Sequence, residues 1–260
     1  MIKLNLFKKK PVEFKSSKNT AIYKSIVNES TGRRKRDIST ITGFNEKKNG
    51  WAYFGRLKDQ IDKEALYIPL IYDDLLVIKN KFKKKKSINV MVLGAGEGVE
   101  VEILNNLNEK QKWVDIDTLS LTNSLSENAR DIVRKDHSPK EVNFESFFEH
   151  FNHLKFIGKY DYIYSDLGVG YHTHYPEIAL LKVGSMLRIG GFATIQIQSE
   201  KNINSSKIIK HINEYLLKKG LLNKLKLDVI YSNSEKVFSS KLKPLNKSIV
   251  VTYIRLERLK

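Results

Sequence analysis

The residues of this chain best suited to chemistry gather at one glycine-rich turn and one acid-tipped strand. Gly94-Ala95-Gly96-Glu97-Gly98 follows the apolar, β-branched run Val90-Met91-Val92-Leu93 and precedes a helical pattern. Glycine at these positions lets the backbone turn sharply and approach a ligand closely, while the following helix N-terminus presents unpaired N–H groups. A dinucleotide fingerprint would require glycine at position 99, but Val99 stands there and the third glycine comes one step early. Asp166 ends the run Tyr160-Asp161-Tyr162-Ile163-Tyr164-Ser165, at the strand end where open α/β sheets bind ligands. His172 and His174 follow six and eight residues later, and imidazoles titrate near neutrality, which suits a general base. Tyr171 and Tyr175 flank them as polar partners for a substrate. The His-x-His spacing lacks further ligands, so no metal centre is expected.

The elements that must position these residues read as alternating strands and helices. Ile88 to Leu93 is a buried parallel strand, and Val99, Ile103, Leu104 and Leu107 give the next helix one apolar face. Trp113-Val114-Asp115-Ile116-Asp117 reads as a second strand, with Asp115 placed to accept hydrogen bonds from two hydroxyls of a ribose. A helix over 119–133 follows, for which Asp117 is an alternative cap. Glu141 to Phe144 reads as a third strand, and Tyr160 to Asp166 as a fourth. Pro176 opens a helix through Met186, and Gly190-Gly191 stops it before a fifth strand, Phe192 to Gln198. After a helix over 204–219, Lys226 to Ser232 and Ser248 to Leu256 form two strands without a helix between them. An antiparallel pair therefore closes an otherwise parallel sheet.

Four of these segments, in this order, resemble the class I S-adenosylmethionine-dependent methyltransferases over about residues 87 to 256. They are Leu93 to Gly98, Val114 to Asp117, Tyr160 to Asp166 and Met186 to Gly191. The G-x-G-x-G spacing points the same way. The resemblance implies a Rossmann-like α/β fold, a mostly parallel seven-stranded sheet with a terminal antiparallel hairpin, and S-adenosylmethionine as cofactor. It further implies that Gly94, Ala95, Gly96 and Gly98 line the methionine end and that Asp115 takes the ribose. Glu145 and Ser146 would lie near the adenine, and Asp166 would face the methyl group or the methionine amine. The chain departs from related patterns in two places. Asp166-Leu167-Gly168-Val169 lacks the Asp/Asn-Pro-Pro-aromatic motif of base N-methyltransferases, and Gln196 stands where ribose 2′-O-methyltransferases of the FtsJ and viral cap type carry their second lysine. The similar aminopropyltransferases surround the corresponding acid with further acids that this loop lacks.

The charge shows where a substrate would be held. The chain of 260 residues carries a formal net charge of +17, and residues 1–90 hold 22 Lys+Arg against 9 Asp+Glu. That asymmetry predicts attraction to a polyanion, with RNA favoured and an anionic membrane surface second. Lys35 and Arg36, within Arg33-Arg34-Lys35-Arg36, are the expected substrate contacts. Residues 1–50 read as a basic, partly flexible arm, 51–86 as a helical segment with a basic linker, and 87–260 as the cofactor-binding domain. The absence of cysteine excludes disulfides, thiolate zinc sites and cysteine nucleophiles. No apolar run is long enough to span a bilayer and no signal-peptide pattern is seen, so a cytoplasmic location without membrane insertion is expected, with organellar targeting by the basic N-terminus as the alternative. The reading is an RNA methyltransferase. Its alternatives are a small-molecule or protein methyltransferase, or a non-catalytic nucleic-acid-binding protein of the same fold.

Overall fold

A computed structural model of the chain describes residues 44–45, 50–51, 70–71, 73–96, 98–108, 113–120, 123, 125–140, 153–170, 176–200, 205–218, 220–221, 223–238 and 244–260. The strands are β1 (Phe44–Asn45), β2 (Gly50–Trp51), β3 (Ile88–Leu93), β4 (Val114–Leu119), β5 (Lys135–Asp136), β6 (Tyr160–Gly170), β7 (Leu187–Glu200), β8 (Leu225–Phe238) and β9 (Pro244–Arg258). The helices are α1 (73–81), α2 (Val99–Asn108), α3 (Glu127–Ile132), α4 (Pro176–Met186) and α5 (Ser205–Lys218). A 3-10 turn covers His153–Phe156. Strands β1 and β2 pair antiparallel by themselves, and the other seven form one sheet in the order β5-β4-β3-β6-β7-β9-β8. All its pairings are parallel except β7 with β9 and β9 with β8. The architecture is therefore α/β, with the terminal hairpin inserting its last strand between β7 and β8.

Strand periodicity sorts the core onto the two faces. Val90 and Val92 join Ile71, Leu75 and Ile78 of the α1 region and Val101 and Leu104 of α2 on one face. Met91 and Leu93 point to the other, where Val183 and Met186 of α4 and Ile212 and Leu216 of α5 cover them. Each fully buried aliphatic side chain of this kind stabilises the fold by about 1.5–3 kcal/mol. Asn108 closes the turn from α2 into β4: its Oδ1 accepts the N–H groups of Trp113 at 2.7 Å and Val114 at 3.1 Å.

Several boundaries differ from the sequence reading. Strand β4 runs two residues past Asp117, and the helix expected over 119–133 begins only at Glu127, capped by Ser126, whose hydroxyl accepts the Ala129 N–H at 3.2 Å. Asp117 is consequently no cap but a strand residue, 4% exposed. The strand beyond β4 is Lys135–Asp136, whereas the expected third strand, Glu141 to Phe144, lies outside the described residues. Gly190 and Gly191 lie inside β7 instead of stopping a helix. A β-carbon on Gly191 would stand 2.8 Å from the Asp161 carbonyl oxygen, so this glycine lets β7 close onto the start of β6.

Candidate functional site

The strand order reverses between β3 and β6, and in open α/β sheets the crevice at such a switch point, beyond the carboxyl ends of the strands, is where ligands bind. The glycine turn leaves β3 there. Gly94, Gly96 and Gly98 have φ of 78°, 54° and 96°, a backbone region that side chains resist. The Gly94 N–H donates to the Leu119 carbonyl at 2.8 Å, and the Gly96 N–H donates to Ser120 Oγ at 3.3 Å. The turn is thus fastened to the end of β4.

The three glycines do different work. Among the described residues nothing lies within 4 Å of where a β-carbon would stand on Gly96, so this position is open on that side to them. On Gly98 a β-carbon would meet Ala129 Cβ at 2.4 Å and Leu125 Cδ2 at 3.2 Å. Its N–H is already given to the Ala95 carbonyl at 2.7 Å. Gly98 therefore packs the start of α2 against α3, which corrects its expected place along a cofactor. Ala95 is likewise only 4% exposed and belongs to the core beneath the turn.

Asp115 is a second correction. It pairs with Asn89, the second residue of β3, and so sits at the amino end of its strand. Four residues of strand, roughly 13 Å, separate it from Leu119. There it accepts the Ser87 hydroxyl at 2.6 Å and stands 3.9 Å from an Arg134 nitrogen. The extension of β4 past Asp117 moved the carboxyl edge away from it. Asp117 is committed elsewhere too, taking two hydrogen bonds from Arg134 at 2.9 and 2.8 Å and one from the Tyr160 hydroxyl at 2.8 Å. Burial alone would raise its carboxyl, but hydrogen bonds from His137, Arg134 and Tyr160 and the Arg134 charge outweigh that and hold it far below the ordinary range.

Residues that the sequence reading passed over stand at the edge instead. Ser120, just past β4, gives its N–H to Ser138 Oγ at 2.7 Å, and the Ser138 hydroxyl donates to Asp136 Oδ1 at 2.6 Å. The same oxygen accepts the Ser138 N–H and the Thr118 hydroxyl, both at 3.0 Å. All of these bonds fall on Oδ1. Oδ2 is buried without a hydrogen-bond partner among the described residues. A short relay thus leads from the Gly96 N–H through Ser120 and Ser138 to a carboxylate with one oxygen unused. The signal in the sequence was Asp136-His137-Ser138-Pro139, an acid with a serine two residues on, the pattern of an Asx turn.

Asp166 lies within β6. Since Val92 pairs with Tyr164, its backbone is level with Gly94 across the switch point. Beside it, the buried Ser165 hydroxyl donates to the Leu93 carbonyl at 3.0 Å. Gln196, the residue after the Ser165–Ile195 pair on β7, is 4% exposed and its side-chain amide donates to the Tyr253 hydroxyl at 3.3 Å. His172, His174, Tyr171, Tyr175, Glu145, Ser146, Lys35 and Arg36 lie outside the described residues.

The charge of this edge narrows its ligand. From Gly94 to Glu102 the chain has three glutamates and no basic residue, and Glu100 and Glu102 occupy the first turn of α2. A pyrophosphate would meet repulsion here. A cationic ligand bearing hydroxyls fits, because the acids favour its charge and the Ser120 hydroxyl offers an acceptor to its hydroxyls.

No family model matches the chain, and no curated protein matches it. Solved structures do. A protein of Galdieria sulphuraria provisionally described as a sarcosine dimethylglycine methyltransferase matches at 14% identity over 90% of this chain and 99% of its own, with a TM-score of 0.48. A TehB-like SAM-dependent methyltransferase from Corynebacterium glutamicum matches at 16% identity over 77% and 97%, with a TM-score of 0.42. TYW2 of P. horikoshii, solved in complex with MeSAdo, matches at 13% identity and a TM-score of 0.42 over 68% of this chain. The match spans only 59% of the TYW2 chain.

Proposed function

We propose that this chain is an S-adenosylmethionine-dependent methyltransferase whose substrate is RNA. The observation that carries the cofactor is the open, acid-rimmed glycine turn at the switch point, with the Ser120–Ser138–Asp136 relay beside it. When bound, S-adenosylmethionine supplies an electrophilic methyl group on a sulfonium. The chain's own part is to bind, orient and exclude water. The Gly96 backbone would border the methionine end, Ser120 would accept a ribose hydroxyl with the Asp136 carboxylate behind it holding Ser138 in place, and Asp166 would hold the reacting end from the far side of the switch point. In-line displacement needs little beyond such positioning and a path for the acceptor's proton. His172 or His174 takes that proton, since Gln196, which has no basic nitrogen, cannot.

RNA is supported by the concentration of positive charge before residue 90. Lys35 and Arg36 hold its phosphates, and the cytoplasm is the compartment where such a substrate is met. Transfer of labelled methyl groups from S-adenosylmethionine into RNA, protein and metabolite fractions tests the assignment. Label is expected in RNA, and label confined to another fraction replaces the substrate. RNA affinity should fall steeply with salt, and deletion of residues 1–48 should remove most of it; an affinity indifferent to salt would refute the phosphate contacts. The enclosed Gln196 favours a second reading, a domain that binds nucleic acid without transferring methyl groups. Calorimetry with S-adenosylhomocysteine separates the two, because a site that has lost the cofactor shows no heat and no response to Gly96→Arg.

A further inference from the structure

The edge of the sheet opposite the glycine turn carries an apolar and basic strip that the proposed reaction does not use. Strands β6 and β7 begin there, β9 ends there and β8 starts beside it. Their ends are stitched together. Gly158 N–H donates to the Ser185 carbonyl at 3.0 Å, Arg188 Nε to the Lys159 carbonyl at 3.1 Å, and Leu259 N–H to the Lys224 carbonyl at 2.8 Å. Arg258 adds bonds to the Ser185 and Leu187 carbonyls at 3.0 and 2.6 Å. Along this seam Ile157 is 47% exposed, Ile189 63% and Leu259 41%, with Leu154 of the 3-10 turn at 60%.

The charged groups between them are nearly all cations. Lys155, Lys159 and Lys260 are exposed and Lys224 half-buried, and their ammonium groups have no carboxylate partner among the described residues. Lys83, Lys84 and Lys86 of the linker before β3 are exposed at the same edge. The nearby acids are already engaged: Asp161 by Lys85 at 2.5 Å, Glu257 by Lys81, Asp228 by Lys226 at 2.7 Å, and Asp115 by the Ser87 hydroxyl at 2.6 Å.

We propose that this strip is a peripheral docking surface for an anionic lipid bilayer, with Ile189 and Leu259 entering the headgroup boundary and the surrounding lysines held by lipid phosphates. The side chains select this occupant from four. A second copy of the chain would bring like charge against like, since each carries +17. Nucleic-acid surfaces engage bases by aromatic stacking, and the exposed apolar groups here are aliphatic. Protein interfaces favour aromatic residues and arginine and deplete lysine. Here Arg188 and Arg258 spend bonds on backbone carbonyls, leaving lysines to face outward. Aliphatic side chains flanked by lysines match a diffuse anionic surface over an apolar interior.

Co-sedimentation of the full chain tests this, using vesicles of phosphatidylcholine alone and vesicles of equal parts phosphatidylcholine and phosphatidylserine. The wild type is expected on the anionic vesicles only. The double variant Ile189→Asp, Leu259→Asp should lose about tenfold or more in vesicle affinity, because two aliphatic side chains no longer leave water. Leu76→Asp, at an exposed residue of α1 away from the strip, should bind as the wild type does. Circular dichroism melting verifies that the variants fold, and Lys159→Gln with Lys224→Gln gives a milder pair with the same expected direction. Undiminished binding by both pairs, an equal loss in Leu76→Asp, or no binding by the wild type overturns the proposal. So does an equal loss of affinity for a single-stranded RNA, which would make the strip an RNA surface.

Discussion

At the scale of single residues, the glycine turn separates packing from ligand contact. Gly98→Ala forces a β-carbon to 2.4 Å from Ala129 and strains a φ of 96°, so chemical denaturation should show a loss of about 1–3 kcal/mol or more. Gly96→Ala meets nothing within 4 Å among the described residues, and the backbone strain at its φ of 54° is the cost they impose. It should nevertheless weaken S-adenosylhomocysteine in calorimetry, because the methyl group intrudes on the open side. Asp136→Asn keeps the shape of the relay and removes its charge, and should lower the same affinity about tenfold. Asp115→Asn, at the opposite edge, should leave that affinity unchanged; a matching loss there would return the ribose to Asp115.

At the scale of elements, α1 is held to the sheet by more than apolar contact. Asp74, wholly buried, accepts hydrogen bonds from Tyr162 of β6 at 3.0 Å, from Thr194 of β7 and from Arg255 of β9. One helical carboxylate thereby ties three strands to the segment that precedes them. Burial raises the Asp74 carboxyl above its usual range despite the Thr194, Arg255 and Tyr162 interactions that lower it. Asp74→Ala leaves those partners unpaired in the interior, and should cost about 3–5 kcal/mol in equilibrium unfolding. Thr194→Val, which removes one bond, should cost distinctly less.

At the scale of the whole molecule, buried titratable groups set the acid limit of stability. Burial, assisted by the Lys182 charge, pulls His153 down to about 4. Burial likewise lowers His211. The unfolded imidazoles bind protons near pH 6.5 and the folded ones only lower, so the folded state loses stability as pH falls from about 6.5 toward 4. The depressed Asp117 works in a lower window. Its contribution is fully present above the unfolded value near 4 and is lost as pH falls from there toward its folded pKa. Thermal midpoints measured across pH should therefore decline in two stages. His153→Gln should flatten the upper stage and spare the lower one.

The sequence by itself determined the alternation of strands and helices, the terminal antiparallel pair and the place of the glycine turn. Those features are local, carried by strand and helix periods and by turn residues that act over a few positions. It did not determine where β4 ends. Apolar and acidic residues alternate through Val114-Asp115-Ile116-Asp117, and the alternation breaks at Thr118-Leu119, so the side-chain pattern gives no sign that the strand continues past Asp117. The parallel register of β4 with β3, which pairs Leu119 with Leu93, decided it. That register moved Asp115 to the far edge and brought Ser120 and the distant Asp136 to the glycine turn. Gly98 and Gly191 were legible as glycines. Whether each serves a ligand, a helix end or a close packing contact depends on neighbours far along the chain, and only the tertiary structure supplies those.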